Sequence, residues 1–280
     1  MTDIDIEKKG SGFFSGSTLK LIACIAMFFD HFGFMIYPKI MVFRAIGRIA
    51  FPIFAYFIAE GCRYTRNKLK HFLLIFSVGI VYFVFYLVAF GEIYPSIFLT
   101  FSFSILNVYL IDAMKRFAFA PKQQNGENNG EEPHRVKISR VLIAVFTVLI
   151  SLSLSYIPFY FVIFDYGYIG MLAPVLLSLF DFSKIRVPDK IKRLDSVAVR
   201  LVFLTAVCIA LAVKNQNLNF NDLFGIKFNV QLFNLLSIPL LALYNGRVGV
   251  KKLKYFFYAF YPVHLGIIMA IKMILQAIAK

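Results

Sequence analysis

The 280-residue chain has no tryptophan, three cysteines and four histidines, against 34 phenylalanines and 15 tyrosines. Cys24, Cys62 and Cys208 lie far apart and form no CxxC pair. That spacing excludes a disulfide framework and a zinc site, so no metal is expected. Without tryptophan, tyrosine has to supply the interfacial aromatic belt of any membrane span. Acidic residues are scarce too: 15 against 30 Lys and Arg, a net charge of +15. In a soluble domain that surplus would point to nucleic acid. Hydrophobic residues make up 60% of the chain and the mean hydropathy is +0.74, which excludes the soluble class. The opening residues carry no small-residue cleavage site, and the first apolar run is longer than a signal h-region. That run is expected to stay as a span. No internal repeat is evident, which weighs against an inverted-repeat transporter.

What is present is a series of apolar segments long enough to cross a bilayer. Nine helices are expected, over roughly 18–37, 41–61, 71–90, 95–115, 139–163, 168–182, 197–213, 228–245 and 253–275. The sixth is short for a full span. The fold class is therefore all-α: a polytopic integral membrane helical bundle of about nine transmembrane helices. Residues 1–17 read as a cytoplasmic tail and 18–280 as a single transmembrane domain, with a flexible cytoplasmic loop at about 117–137. Within that loop PKQQNGENNGEEP, Pro121–Pro133, has no apolar periodicity and cannot bury enough surface to order itself.

Basic residues set the orientation. Arg63, Arg66, Lys68 and Lys70 follow the second segment, and Lys115, Arg116, Lys122, Arg135, Lys137 and Arg140 flank the loop after the fourth. Lys184, Arg186, Lys190, Lys192 and Arg193 follow the sixth, and Arg247, Lys251, Lys252 and Lys254 the eighth. The alternate loops carry almost none. Every second loop is basic, which places the N-terminus in the cytoplasm and the C-terminus outside.

Ionisable groups inside the spans mark the candidate site. Leu19–Tyr37, LKLIACIAMFFDHFGFMIY, contains adjacent Asp30 and His31, and the next segment contributes Arg48. A charge in hydrocarbon costs about 2.5–3.5 kcal/mol even on the lenient insertion scale, so such groups face a protein interior and mark function by default. At about 1.5 Å per residue, His31 lies roughly 9 Å from the outer end of the first helix. Arg48 lies roughly 10 Å below the same end of the second. The connection Pro38-Lys39-Ile40 keeps the two helices adjacent. His264, about 16 Å from the inner end of the last helix, and Asn107 in the fourth fall near mid-bilayer. Glu60 closes the second helix, with Arg63 and Arg66 at spacings of three and six on its face. Blander readings stand beside these. Asp30 and Arg48 can simply pin two helices. His264 can bond a carbonyl freed by Pro262. Glu60, Arg63 and Arg66 can be a solvated helix end.

Several blocks resemble a known family. DHFGFMIYP from Asp30 and RAIGRIAFPIFAYFIAEGCRYTRNK from Arg44 are similar to the opening of TraX-type membrane proteins, named for the F-pilin acetylase. FDYGYIGML at Phe164–Leu172, LYNGRVG at Leu243–Gly249 and FFYAFYPVHLGII at Phe256–Ile268 continue the resemblance in order. The opening is also distantly similar to the transmembrane acyltransferases exemplified by heparan-α-glucosaminide N-acetyltransferase. The resemblance implies transfer of an acetyl group from cytosolic acetyl-CoA to an amine or hydroxyl at the outer side of the plasma membrane.

Acetyl transfer needs a base, donors for a developing oxyanion and a dry site. His31 is the candidate base. Asp30, about 100° away around the helix, is expected to pair with Arg48 or with His264. Arg48, Asn107 or Tyr261 would stabilise the oxyanion. Arg63, Arg66, Arg247, Lys251 and Lys252 would attract the donor's phosphates, with Glu60 among them. The expected partners are the bilayer, acyl-CoA and an outer-face acceptor: a peptide N-terminus, a glycan or a small molecule. A homodimer stays open, and nucleic acid is not expected. The rival functions are a proton-coupled transporter or flippase using the same Asp, His and Arg, and a non-catalytic assembly protein.

Overall fold

The computed structural model describes residues 12–119, 138–185, 187–214, 219–223 and 226–278. The flexible segment expected at Pro121–Pro133 lies outside the described residues. Seven of the described helices are long and apolar enough to cross a membrane: Gly16–Met35, Met41–Tyr64, Lys68–Val88, Ile97–Ala118, Ile138–Phe161, Val197–Lys214 and Tyr255–Ile278. Two shorter apolar helices, Gly167–Ser178 and Val230–Ala242, stand where the sixth and eighth segments were expected. The protein is a polytopic helical membrane protein.

Local chemistry accounts for the ends and breaks of the elements. Helix α1 (Gly16–Met35) starts at Ser15, whose side chain accepts from Thr18 N at 3.2 Å. The second span is expected as one helix but divides into α2 (Met41–Gly47) and α3 (Ala50–Tyr64). Pro52 explains the division. It has no N–H for the carbonyl of Arg48, and its ring crowds that carbonyl four residues back. Helix α4 (Lys68–Phe90) follows almost at once, with the Asn67 side chain accepting from Lys70 N at 2.9 Å. Its C-cap, Gly91, has φ 70°, where a side chain would be strained. Helices α5 (Ile97–Ala118), α6 (Ile138–Phe161) and α7 (Gly167–Ser178) complete that region, followed by the single turn α8 (Asp189–Lys192).

Helix α9 (Val197–Lys214) leads to a small antiparallel hairpin, β1 (Asn219–Leu223) and β2 (Ile226–Asn229), which the all-α expectation does not include. The eighth segment, expected as a span over 228–245, is instead a 3-10 helix, Val230–Leu236, running into α10 (Ser237–Ala242). Those two elements rise roughly 23 Å, short of the ~30 Å hydrocarbon layer. Pro239 blocks the α-helical bond to Leu235 in the same way that Pro52 blocks the one to Arg48. Helix α11 (Lys254–Ile278) closes the chain's described part.

The described residues group into two compact units: those of Met1–Ile58 with Leu201–Lys280, and those of Ala59–Arg200. In the first, α1 packs on α2 and α11, and the 3-10 helix packs on α2 through Ala45, Val230, Met41 and Phe233. Residues 12–15, expected as tail, run beside 243–250, with Gly16 N donating to Arg247 O at 2.8 Å and Asn245 N to Phe14 O at 2.9 Å. In the second, α5 packs on α4, α6 and α7.

Candidate functional site

The close approach of α1 and α2 sets the site. A methyl group on Gly47 would overlap the Cβ of Asp30, and one on Gly33 would overlap the Cβ of Phe43. With hydrogen at both positions the helices meet closely, and Asp30 is brought against the guanidinium of Arg48. The Nη2 of Arg48 donates to both carboxylate oxygens of Asp30, at 2.9 and 3.2 Å. Of the two partners expected for Asp30, the structure therefore selects Arg48 over His264. Arg44, one turn earlier on α2, lies 3.3 Å from the same carboxylate and stacks on Phe34 at 4.8 Å. The Nη1 of Arg48 reaches the 3-10 helix and donates to Oε1 of Gln231 at 3.3 Å. Arg48 and Gln231 are buried, and Asp30 is half-buried. Removing one member of such a buried pair costs about 3–5 kcal/mol, because the other charge is left stranded.

His31 points to a second partner. Its Nδ1 lies 2.9 Å from Nε2 of His264 on α11. The Nδ1 of His264 lies 2.7 Å from the carbonyl oxygen of Phe260. A carbonyl only accepts, so Nδ1 of His264 carries its proton and Nε2 of the neutral ring is an acceptor. His31 must then donate from Nδ1, and its Nε2 keeps the lone pair. These tautomers are assigned from the partners, and each link fixes the next. The rings also pack. Phe260 stacks on His264 with centroids 4.8 Å apart, and buried Tyr261 meets His31 edge-on at 6.0 Å and His264 at 5.6 Å. The carbonyl bonded by His264 is that of Phe260. Pro262 frees the carbonyl of Tyr258 instead, four residues back.

Asp30, His31, Arg48, His264 and Tyr261 are thus brought together in one unit. Sequence reasoning missed Arg44 and Gln231. Arg44 had a legible signal, lying four residues before Arg48 and so on the same helix face. Gln231 had none while its segment read as an ordinary span.

The residues expected to hold the donor are placed differently. Glu60 accepts from Nη1 of Arg200 at 2.6 Å. Arg63 donates to both oxygens of Asp195, at 3.0 and 3.1 Å, and its Nε lies 3.6 Å from Asp181. Nη2 of Arg200 joins Asp195 at 2.7 Å and closes the network. Arg66 does not share a helix face with Glu60, because α3 ends at Tyr64 and Asn67 starts the next helix; Arg66 is exposed. Asn107 spends its side chain on helix packing. Its amide donates to Phe103 O and to Ser155 Oγ, both at 2.9 Å, and its oxygen accepts from Ser151 Oγ at 2.9 Å. The Arg247 side chain is exposed, and the side chain of Lys251 lies outside the described residues.

With this geometry in place, comparison with known proteins is decisive about kinship. The family model described as "TraX protein" matches residues 15–272. The chain belongs to the TraX family. A relative from Dichelobacter nodosus, named as probable fimbrial assembly protein FimC, serogroup H1, is 26% identical over 271 residues. That match covers 94% of this chain and 98% of the relative. An uncharacterized protein of Rickettsia prowazekii (strain Madrid E) is 51% identical over 39 residues, 14% of this chain and 16% of its own. No solved structure matches the chain. The TraX match includes every residue of the Asp30–His31–Arg48–His264 cluster.

Proposed function

We propose that this TraX-family protein is a membrane acyltransferase that moves an acetyl group from acetyl-CoA to an amine or hydroxyl at the outer side of the plasma membrane. One observation carries the reading: the histidine pair in which the Phe260 carbonyl and His264 fix the proton of His31 on Nδ1 and leave Nε2 as a base. Family membership supports it, because the family takes its name from a pilin acetylase.

In this reading Nε2 of His31 takes a proton from the acceptor's amine or hydroxyl. The acceptor's nitrogen or oxygen attacks the thioester carbonyl carbon, and a C–N or C–O bond forms. The C–S bond breaks, and the departing thiolate takes the proton back from His31. As the imidazolium forms, its Nδ1–H points at the lone pair of His264, which steadies the charge inside the bundle. Arg48 and Arg44, held on Asp30, fix α1 against α2, so the base is presented in one orientation.

The basic loops are assigned to the cytoplasm, the donor's side. Arg63 is committed to Asp195 and Asp181, so phosphate binding falls to exposed cations such as Arg66 and Arg247. The relative named for fimbrial assembly makes a pilin-type N-terminus the first acceptor to try.

The test is acyl transfer in proteoliposomes, with labelled acetyl-CoA on one side and peptide or glycan acceptors on the other. Label on the acceptor, lost in His31→Gln, is the expected result. Counter-flow of solute with no label incorporated would replace this reading with that of a proton-coupled transporter.

A further inference from the structure

The segment Val230–Leu236 is unusual for a 3-10 helix, since runs longer than three or four residues are uncommon. With three residues per turn, side chains at i and i+3 eclipse. Gln231, Asn234 and Ser237 therefore fall on one line, and all three are fully buried. Ser237 is satisfied by the carbonyl of Asn234, at 2.6 Å. The other two are not. The Nε2 of Gln231 and the Nδ2 of Asn234 have no hydrogen-bond partner, nor does Oδ1 of Asn234 beyond the weak thiol donor of Cys208 against it. In a membrane interior, non-helical backbone and orphaned donors are tolerated where they face a cavity or a ligand. Gln231 is also tied to the site already described, because Nη1 of Arg48 bonds its Oε1. That bond polarises the carboxamide and makes its N–H groups stronger donors.

We infer that the buried stripe Gln231–Asn234 is a binding site for an amide-bearing chain, whose carbonyl oxygen takes the carboxamide N–H groups and whose N–H meets the oxygen of Asn234. Under the acyl-transfer reading, two substrates carry such a chain: the donor, in its pantetheine arm, and a peptide acceptor. The inference rests on that reading for the choice between these sources but not for the chemistry of the site.

The test uses the full chain in nanodiscs, with pantetheine, cysteamine (the same thiol without an amide) and tri-alanine amide as probes. Asn234→Leu keeps the side-chain volume and removes the carboxamide. The expected result is an unfolding temperature equal to or above that of the wild type, since no internal partner is lost. Affinity for pantetheine, or for tri-alanine amide, falls about tenfold or more, and cysteamine is unaffected. Loss on pantetheine alone assigns the stripe to the donor, and loss on the peptide alone to the acceptor. Gln231→Glu is the second variant. It strengthens the contact with Arg48 and so folds, but it removes the Nε2 donors, and it lowers amide affinity in the same way. A lower unfolding temperature in Asn234→Leu, or unchanged affinities in both variants, overturns the inference and leaves the stripe as packing around internal water. If amide binding depends on Asn234 while the wild type transfers no acyl group, the site stands and the acyltransferase reading falls. If transfer proceeds with the same KM for donor and acceptor in Asn234→Leu, the site falls and the transfer reading stands.

Discussion

The two units handle buried polarity in opposite ways. In the unit of Ala59–Arg200, each charge near the ends of α3 and α9 answers another: Glu60 with Arg200, Arg200 with Asp195, Asp195 with Arg63, and Arg63 with Asp181. Its mid-span polar group, Asn107, is likewise consumed by Phe103, Ser151 and Ser155. In the other unit polarity is left open. His31 is held on one nitrogen and keeps a lone pair on the other, and the 3-10 helix buries carboxamide donors with no partner. A closed network stabilises, whereas an open one is maintained at a cost in stability and is retained for what it binds. The chemistry is therefore assigned to the unit containing α1, α2 and α11, although both units hold arginine and carboxylate at membrane depth.

The largest effect that would break this contrast concerns His31. His31→Ala lowers acyl transfer by about 10²–10⁴-fold, the range for loss of a general base. Circular dichroism and unfolding temperature should stay close to wild type. Arg63→Ala, measured in the same assay, should leave activity per folded molecule unchanged. Equal losses in the two variants would mean that the networks do not differ in kind.

Stability shows the reverse ordering. Arg200→Met strands Glu60 and Asp195 together and should cost about 3–5 kcal/mol in denaturant unfolding. Transfer by the remaining folded protein should persist. Gly47→Ala comes next. The added methyl group has to displace Asp30, which costs about 1–3 kcal/mol as overpacking and also moves the carboxylate away from Arg48. Gly47 thus links fold to site, and activity should drop beyond what the stability loss accounts for. A Gly47→Ala protein with wild-type activity and stability would show that close approach of α1 and α2 is dispensable.

The sequence reveals the parts of this design that depend on a single helix at a time. Apolar length places all nine segments within a few residues, and depth counting along α1 and α2 puts Asp30 and Arg48 at one level, where they bond at 2.9 Å. What depends on two distant helices is not legible. Asp195 and Arg200 lie 132 and 140 residues from the groups they neutralise, and no periodicity connects them. Glu60 and Arg63 therefore look like free donor ligands until their partners are seen. The eighth segment fails for a different reason. Composition marks it as a span, but Pro239 and the cap at Asn229 convert it to a 3-10 turn, and only that geometry lines up Gln231 with Asn234.

The smallest predicted effect sharpens the comparison from the structural side. Asn107→Ala removes two bonds between α5 and α6, to Ser151 and Ser155. Interhelical hydrogen bonds in membranes average about 0.6 kcal/mol each, because the separated helices find other partners. The expected loss is therefore about 1 kcal/mol, read as a modest drop in unfolding temperature with donor and acceptor KM unchanged. Asn107 was a natural candidate for oxyanion stabilisation, and its bonds argue against that role: a carboxamide whose N–H groups already serve Phe103 and Ser155 has little left to offer a transition state. A fall in kcat larger than tenfold at unchanged stability would return Asn107 to the chemistry and extend the open network into the second unit.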